Sequence, residues 1–487
     1  MKLGLPLLLA ILLTLSSAAQ DNVQRVIDES LKSSSLEKNL AQLTDEIGGR
    51  LPGTPAMKRA VEWGVQSFKA AGAPNVHTED LTLPNTWTEG PTHMTAAVDG
   101  VEFRVRAVSV GWAPSLPLSK NVPMADVGRG TEHDFERAGD VTGKVVLVHT
   151  DVLKSWADLF GEYDRSPKII DQAVRRHALA IAFIATREHD ILYRHVNAIE
   201  GEIDRIPQVE VAREDGERIG RLLAAGHRVT TTLEIAVHVG PPTTIANVVA
   251  EIKGSEKPEE VVILGAHLDS WDLGTGALDN GCNSALVVDA LRAIVASGVK
   301  PKRTLRFILF TGEEEGMLGS HAYVNQHAKE LDNIAGVVVI DSGIGKVSGF
   351  SVGGRKDVLK TAQPLVAPLA RFGASELTGD AESGTDNLDF LLQGVPTFVA
   401  NQPEDNYLEN YHASSDTLDK VDFKKLKTHV AETAALAFAL ADAPDRVGPR
   451  LHRAEIEQTM HETHLDEDLK SSGIWKEWEG KTRGRVD

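Results

Sequence analysis

The sequence predicts an α/β fold with a mixed, parallel-rich central sheet flanked by helices, together with a second, smaller α/β module. Three observations predict this fold class. After residue 245, strand-length apolar runs alternate with helical patterns, which is typical of parallel strands joined by helices. A separate set of short apolar runs fills residues 115–238. The chain has 487 residues, which is too long for one ordinary core and predicts two or more domains.

A secretory signal peptide is predicted over residues 1–19. Lys2 is followed by an apolar run and then by small residues, a pattern that predicts cleavage near Ala19. The run is too short to cross a bilayer comfortably, and no other stretch approaches about twenty apolar residues. We therefore expect a secreted or periplasmic protein without a stable membrane anchor.

The N-terminal part of the main domain is predicted to cover residues 20–114. Residues 22–45 and 57–71 have the apolar spacing of amphipathic helices. Residues 80–110 alternate between apolar and polar side chains, as half-buried strands do. This part of the chain is therefore expected to contribute helices first and strands afterwards.

The remaining chain divides into three predicted parts. The small α/β module covers residues 115–238, the main domain resumes over residues 239–445, and residues 446–487 form a polar C-terminal tail. Within that tail, Trp475 and Trp478 are the side chains expected to dock onto the main domain. The strand-length apolar runs of the main domain are residues 261–266, 305–310, 337–340 and 396–400.

Composition and charge exclude several classes of protein. Hydrophobic residues make up 42% and charged residues 25%, which is typical of a soluble globular chain. The net charge of −19 argues against a nucleic-acid partner, which would require clustered lysine and arginine. Cys282 is the single cysteine, so no intrachain disulfide can form, and we interpret it as a small buried side chain.

Ionisable side chains directly follow three of the predicted strands of the main domain. His267 follows the first, Glu313 and Glu314 follow the second, and Asp341 follows the third. The carboxyl ends of strands in open α/β sheets lie at one edge, where sites form. Buried ionisable groups are costly unless they are paired or bound to metal. The pattern therefore predicts a shared site at this edge.

Two further residues complete a set that suits a metal. Asp279 lies in a turn before a helix, and His412 lies in a later loop. Imidazole and carboxylate ligands suit zinc, and five of them exceed what one catalytic zinc requires. A carboxylate shared by two ions, about 3.5–4 Å apart, fits this inventory better. Asp269, two residues after His267, is placed to accept the other imidazole N–H. Each residue taken singly has an ordinary structural interpretation as a turn, a helix start or a core side chain.

The ordered set of motifs resembles the co-catalytic di-zinc exopeptidases, a superfamily that includes secreted bacterial aminopeptidases and glutamate carboxypeptidases. Within that superfamily the likeness is greatest to the carboxypeptidase Q-like enzymes, and it covers residues from about 25 to 445. The segments that carry it are residues 265–272, 276–280, 301–306, 313–314, 340–341, 384–386, 394–396 and 411–412.

The resemblance implies a zinc-exopeptidase core that holds two Zn²⁺ per chain. His267 and Asp341 would hold one zinc ion. Glu314 and His412 would hold the other, and Asp279 would bridge the two.

The resemblance also implies catalytic roles and a peptide substrate. Glu313 would act as general base and acid, and Tyr411 would stabilise the oxyanion, alongside Asp269 as a partner of the metal ligands. The module over residues 115–238 resembles an inserted protease-associated domain. A homodimer is expected on the same ground, and Asp386 and Tyr193 are candidates for the substrate pocket.

The carboxypeptidase Q-like likeness implies action on unblocked dipeptides or short peptides, and three alternatives to such a dipeptidase are open at this point. The same metal site would serve an aminopeptidase that removes N-terminal residues from longer peptides. Some members of the superfamily keep the fold, lose the metal ligands and act as binding proteins, but all five ligands and Glu313 are present here. The same complete set argues against a third alternative, an aminoacyl cyclase that uses one zinc ion.

Overall fold

The computed structural model describes residues 21–403 and 405–487, so the predicted signal peptide lies outside the described residues. Within those ranges the chain forms sixteen strands. In chain order they are β1 (Asn75–Leu83), β2 (Thr86–Val98), β3 (Val101–Val105), β4 (Ala107–Ser109), β5 (Leu116–Asp126), β6 (Val145–Val148), β7 (Ala180–Ile184), β8 (Gln208–Val211), β9 (Val229–Gly240), β10 (Thr243–Ile252), β11 (Lys257–His267), β12 (Arg303–Phe310), β13 (Ile334–Val339), β14 (Gly349–Ser351), β15 (Glu376–Thr378) and β16 (Thr397–Asn401).

The same described residues form fifteen α-helices, none of which is both long and apolar enough to cross a membrane. In chain order they are α1 (21–30), α2 (Leu36–Ala41), α3 (Pro55–Ala70), α4 (Glu132–Ala138), α5 (Trp156–Arg175), α6 (Arg213–Ala224), α7 (Cys282–Ser297), α8 (Leu318–Gln326), α9 (Lys356–Val366), α10 (Asn387–Leu392), α11 (Tyr407–Asn410), α12 (Phe423–Asp442), α13 (Arg453–Thr463), α14 (Leu465–Ser472) and α15 (Ile474–Gly480).

The main domain is built on a mixed eight-stranded sheet. Its strand order is β1-β10-β12-β11-β13-β16-β14-β15. The four central strands β12, β11, β13 and β16 are parallel, whereas β10 joins β12 and β14 joins β16 in antiparallel pairs. The predicted mixed α/β architecture is therefore confirmed, and the predicted strand-length runs lie within β11, β12, β13 and β16 to within one residue at their ends.

Helices cover both faces of this sheet because the central strands are apolar on both sides. Along β11, Val262 and Leu264 pack into the core that includes α7 and α12, while Val261 and Ile263 pack into the core on the opposite face. Near-continuous apolar runs of this kind are what strands buried on both faces require. Helix α7 ends at Gly298, whose positive φ of 70° provides the left-handed C-cap.

A second eight-stranded sheet lies N-terminal to the central strands of the main domain in the sequence. Its strand order is β3-β2-β9-β5-β6-β7-β8-β4, and its β5, β6, β7 and β8 are parallel. Strands β2, β3 and β4 belong to this sheet although they precede residue 115, where the small module is predicted to begin. The division of the chain into domains stays a prediction.

The C-terminal residues 446–487 are largely helical and packed. Helices α13, α14 and α15 bury apolar side chains, among them Ile456, Leu469 and Trp478, against Leu388 and Leu392 of the main domain. Trp478 is buried, and Trp475 packs at the edge of the same cluster. The apolar residues are sparse in this charged segment, but their helical spacing places them on one side.

Candidate metal and catalytic site

The predicted site residues meet at the carboxyl edge of three adjacent parallel strands. His267 is the last residue of β11, and β11 lies between β12 and β13 in the sheet. Glu313 and Glu314 lie in the turn that follows β12, and Asp341 lies two residues beyond β13. Because the three strands run in the same direction, their ends deliver all four side chains to one place.

Two histidine–carboxylate groups share Asp279. The Nε2 atom of His267 lies 3.0 Å from Oδ1 of Asp341 and 3.2 Å from Oδ1 of Asp279. The Nε2 atom of His412 lies 2.9 Å from Oε2 of Glu314 and 3.5 Å from Oδ2 of Asp279. Asp279 therefore presents one carboxylate oxygen to each imidazole.

Ligand atoms at this site are close enough to hold cations. The potential ligand atoms of His267, Asp279 and Glu314 all lie within 4.8 Å of one another, and so do those of His267, Glu313 and Asp341. Glu313, which the sequence singled out as a base, thus lies within reach of the first ligand pair. Its side chain is partly exposed, whereas that of Glu314 is buried.

Two buried carboxylate oxygens at the site have no hydrogen-bond partner, which makes them suitable ligands for divalent cations. Oδ2 of Asp279 and Oε1 of Glu314 are buried and have no hydrogen-bond partner. Buried carboxylate oxygens without partners are costly, and a cation between them would remove that cost. Neutral imidazoles combined with carboxylates form a ligand set that suits zinc.

The two histidines are oriented by backbone carbonyls. Nδ1–H of His412 donates to the carbonyl oxygen of Arg194 at 3.1 Å. Nδ1–H of His267 donates to the backbone carbonyl of Asp269 at 3.1 Å, whereas the carboxylate Oδ1 of Asp269 is 3.7 Å away. The Asp269 oxygen nearest to this proton is thus the backbone carbonyl, and the role of the Asp269 carboxylate in orienting the ring stays a prediction. Both Nε2 atoms are left free to bind metal.

The pKa values of the two histidines shift in opposite directions. Burial lowers the pKa of His412 to about 4, which favours the neutral imidazole that metal coordination requires. Burial also lowers the pKa of His267, but attraction from Asp341, Asp269 and Asp279 outweighs burial and holds that pKa well above its usual value. The second shift reflects the excess of carboxylates around His267.

The Asp269 carboxylate also holds the turn that carries both glutamates. Its fully buried carboxylate accepts hydrogen bonds from the backbone N–H groups of Gly312 (2.8 Å), Glu313 (3.3 Å) and Glu314 (3.2 Å). Three such bonds fix the direction in which the two glutamate side chains leave the backbone.

Both glutamate side chains favour protonation when no cation is bound. Burial raises the pKa of Glu313 well above its usual value, and repulsion from Asp341 and Glu314 adds to the shift. Burial likewise raises the pKa of Glu314, and repulsion from Asp279 adds to it. The pKa of each carboxyl therefore depends on whether positive charge is present beside it.

Asp416 was not identified from the sequence, although it positions Asp279. Its buried carboxylate accepts the backbone N–H groups of Leu278 at 2.7 Å and Asp279 at 3.1 Å. Burial raises the pKa of Asp416 to about 7. Its position four residues after His412 is the only hint that the sequence offers.

Arg50 was also missed, and it joins the loops beneath the site. Its fully buried guanidinium donates to the carbonyl oxygens of Leu268 (2.7 Å), Thr275 (2.8 Å) and Gly276 (2.9 Å). Gly276 has a φ of 61°, and a Cβ atom there would lie 2.3 Å from the side chain of Ser270. No spacing rule links an arginine near residue 50 to loops more than 200 residues away.

The second sheet's part of the chain reaches the site and supports the loop around His412. The backbone N–H of Arg194 donates to the carbonyl of His412 at 2.8 Å, and Tyr193 forms an antiparallel bridge with Ala413. The Tyr411 ring stacks on His412 at a centroid distance of 3.6 Å, and Tyr411 is the residue predicted to stabilise the oxyanion.

The two candidates for the substrate pocket are both buried. Tyr193 is 1% exposed, and its hydroxyl donates to the carboxylate of Glu162. Asp386 is fully buried, and neither of its carboxylate oxygens has a hydrogen-bond partner. Burial raises the pKa of Asp386 well above its usual value. The side chain of Tyr193 is thus engaged in a buried hydrogen bond.

Cys282 is buried and free, as interpreted from the sequence. It begins α7, and its Sγ atom lies 3.4 Å from the carbonyl oxygen of Leu278. Burial raises the pKa of the thiol well above its usual value, which disfavours the thiolate form. The structure therefore supports the packing interpretation.

Comparisons with known proteins agree with this geometry. Residues 247–437 match the model of Peptidase family M28, and this range contains all five proposed ligands and Glu313. Carboxypeptidase Q of Bos taurus is 29% identical over 410 residues, which cover 83% of this chain and 85% of that protein.

Solved structures share the architecture. A Peptidase M28 precursor from Shewanella amazonensis aligns with a TM-score of 0.81 at 26% identity, covering 90% of this chain and 99% of the other. BSAP, a zinc aminopeptidase from Bacillus subtilis, shares the fold with a TM-score of 0.66 at 21% identity, over 87% of this chain and 98% of that one. The resemblance drawn from the motifs is confirmed: residues 247–437 match Peptidase family M28, most of the chain is similar to carboxypeptidase Q, and the protein is a metallo-exopeptidase.

Proposed function

We propose that the protein hydrolyses the peptide bond of dipeptides or short peptides at a two-zinc site, as a carboxypeptidase Q-like dipeptidase. The observation that carries this proposal is the placement of Asp279. Its two carboxylate oxygens face the Nε2 atoms of His267 and His412 at 3.2 and 3.5 Å. A carboxylate that faces two separate imidazoles in this way suits a bridge between two cations.

The five ligands divide between the two ions by proximity. His267 and Asp341 would hold one ion, and Glu314 and His412 would hold the other, because these pairs have the shortest contacts. Asp279 would complete both sets. When bound, zinc supplies Lewis-acid chemistry, which makes a water molecule more acidic and polarises a carbonyl group.

Glu313 is the residue proposed to move the proton. Its carboxylate lies beside His267 and Asp341, and its side chain is partly exposed, which leaves it accessible to a substrate. It would accept a proton from the attacking water and return it to the leaving amine. Tyr411, stacked on His412, would donate its hydroxyl proton toward the developing oxyanion.

A second candidate function is an aminopeptidase that releases N-terminal residues from longer peptides. The name of the B. subtilis relative favours it, while the name of the bovine relative favours carboxypeptidase action. Both functions would use the same metal site, so the ligands do not distinguish them.

The decisive experiment compares one dipeptide with its N-acetylated form and with a tripeptide extended at the C-terminus. A dipeptidase should cleave the free dipeptide and lose most of its activity on both extended forms. Efficient release of the first residue from the tripeptide would overturn the dipeptidase proposal in favour of the aminopeptidase. Elemental analysis of the same preparation should find two zinc ions per chain, and one zinc ion would contradict the bridging role of Asp279.

Export, the protease-associated module over residues 115–238 and a homodimer belong to the same proposal. The signal-peptide pattern supports export. The resemblance to carboxypeptidase Q-like enzymes supports the dimer. N-terminal sequencing of protein recovered outside the cytoplasm should begin near Gln20. The full chain has a mass of 52.6 kDa. Light scattering should give twice the mass of the chain that remains after the signal peptide is removed.

A further inference from the structure

We propose that an aromatic stripe on helix α5 forms the subsite for a large apolar side chain of the peptide substrate. The stripe consists of Trp156, Phe160 and Tyr163, which are spaced i, i+4 and i+7 and so lie on one side of the helix. Helix α5 belongs to the part of the chain that forms the second sheet, not to the strands that carry the ligands. This inference rests on the proposed peptidase function and names a specificity determinant for it.

Helix α5 reaches the site through Tyr163. The hydroxyl of Tyr163 lies 3.3 Å from the hydroxyl of Tyr411, the residue stacked on the ligand His412. Burial raises the pKa of Tyr163 well above its usual value, and the negative charges of Glu314 and Glu313 add to the shift. One end of the stripe therefore lies beside the group proposed to stabilise the oxyanion.

The rest of the stripe is joined to the site by a continuous row of rings. The ring centroid of Phe160 is 6.4 Å from that of Trp156, which in turn is 5.8 Å from that of Tyr407. The ring centroids of Tyr407 and Tyr411 are 5.7 Å apart, with an angle of 61° between the ring planes. These separations are typical of interacting aromatic pairs, so the rings pack continuously, with Tyr407 buried between Trp156 and Tyr411.

Phe160 provides the open end of that surface. It is 53% exposed, although large apolar side chains on a soluble protein are normally covered. A helix surface that exposes a phenylalanine beside a partly buried tryptophan is a place where a ligand's apolar group gains contact area. Phe160 lies one turn before Tyr163 on the same side of α5, and Tyr163 contacts Tyr411 beside the metal site, which favours a substrate side chain as the occupant.

Hydrogen bonds on the opposite side and at the start of α5 hold the helix in place, so the aromatic stripe keeps one position. Glu162 is buried, accepts the hydroxyl of Tyr193 and lies 3.5 Å from the hydroxyl of Thr186. At the start of the helix, the Ser155 hydroxyl accepts the backbone N–H of Asp158 at 3.3 Å. A subsite on a rigid helix loses little entropy when it binds.

The test measures kcat/KM for Ala–Ala, Ala–Phe and Phe–Ala, because the side chain could sit on either side of the cleaved bond. The selectivity is the ratio of each phenylalanine peptide to Ala–Ala. In Phe160→Ala, at least one ratio should fall about tenfold, the scale on which hydrophobic pockets discriminate. Phe160→Tyr, which keeps the ring, should retain most of the selectivity.

Leu118→Ala provides a matched control, since Leu118 is 50% exposed on β5 and lies outside the stripe. Its ratios should equal those of the wild type. If both ratios in Phe160→Ala also stay within about twofold of the wild type, the subsite is overturned. If light scattering then shows that Phe160→Ala is a monomer where the wild type is a dimer, Phe160 is covered by a second copy of the chain and not by substrate. If the zinc-loaded wild type cleaves none of the three peptides, the proposed function fails first and the subsite with it.

Discussion

Glu313 and Glu314 are adjacent in the sequence, yet their surroundings give them different chemistry. The backbone of both is fixed by the Asp269 carboxylate, so the difference lies in their side chains. Glu314 is buried with Oε2 2.9 Å from Nε2 of His412, which suits a ligand. Glu313 is partly exposed beside His267, which suits a group that exchanges protons with substrate.

Replacing Glu313 with glutamine should therefore remove activity and leave the metal in place. The amide cannot accept the proton of the attacking water, so kcat should fall by about 10²–10⁴, the usual contribution of a general base. Steady-state kinetics on a dipeptide and elemental analysis of the same sample check both parts. Glu314→Gln is the matched control and should lose about one zinc ion per chain. If Glu313→Gln loses zinc instead, Glu313 is a ligand and the two roles must be exchanged.

At the scale of elements, the strand ends explain which site residues the sequence reveals. His267, Glu314 and Asp341 stand directly after buried apolar runs, and parallel strands necessarily align their carboxyl ends. Arg50 and Asp416 act through backbone carbonyls and N–H groups of distant loops. Such contacts depend on where loops cross in space, and no pattern of residue types records that crossing.

The C-terminal helices show a second limit of sequence reasoning. Residues 446–487 are charged overall, and the few apolar residues among them do not indicate which surface they cover. In the structure α15 and the residues after it pack against the turn that carries Glu313 and Glu314. Arg483 is 1% exposed, pairs with Asp389 at 2.8 and 2.9 Å, and reaches the carbonyl oxygen of Gly316 at 3.3 Å.

Arg483→Met should consequently destabilise the protein strongly. It leaves the Asp389 carboxylate buried without its cation, which typically costs about 3–5 kcal/mol in the free energy of unfolding. Denaturant titration of both proteins measures the loss. Arg129→Met is a suitable control, because the pair of Arg129 with Asp151 is exposed and should contribute about 1 kcal/mol or less.

The double variant Arg483→Met/Asp389→Leu separates two costs. One is the loss of the ion pair, and the other is the burial of an unpaired Asp389 carboxylate. It should recover part of the stability, because no unpaired carboxylate remains in the core. Equal stability of Arg483→Met and Arg129→Met would show that the C-terminal segment does not support this turn.

At the scale of the whole molecule, two parts of the chain that lie far apart in the sequence build the candidate metal site. The proposed ligands come from the M28-matched region, while the backbone N–H of Arg194 and the guanidinium of Arg187 donate to the carbonyl oxygens of His412 and Tyr411 and hold this loop. The mixed α/β fold could be predicted from local patterns, and so could the meeting of the candidate ligand residues at one sheet edge. This support could not, because it joins residues that lie more than 200 positions apart.

The metal ions should therefore contribute to global stability, and the contribution should depend on pH. Burial raises the pKa values of Glu313 and Glu314 in the metal-free fold, so both stay protonated where the unfolded chain has lost these protons, above a pH of about 4.3. The metal-free fold then binds more protons than the unfolded chain, and its stability falls as pH rises. The raised pKa of His267 acts in the same direction, while the lowered pKa of His412 opposes it below a pH of about 6.5. The two carboxyl groups set the net direction.

Chelation should accordingly lower Tm more at pH 7.5 than at pH 5.5. At the lower pH, protons partly replace the missing cations at the carboxylates, and they also compete with zinc for its ligands. With free zinc at about 100 times Kd, each site adds about 2.7 kcal/mol to the stability of the loaded protein. Calorimetry with and without chelator at both pH values measures the difference, and restoring zinc to the chelated sample should restore Tm. An equal fall in Tm at the two pH values would mean that protons do not replace the cations at Glu313 and Glu314, and that these carboxylates are neutralised in some other way.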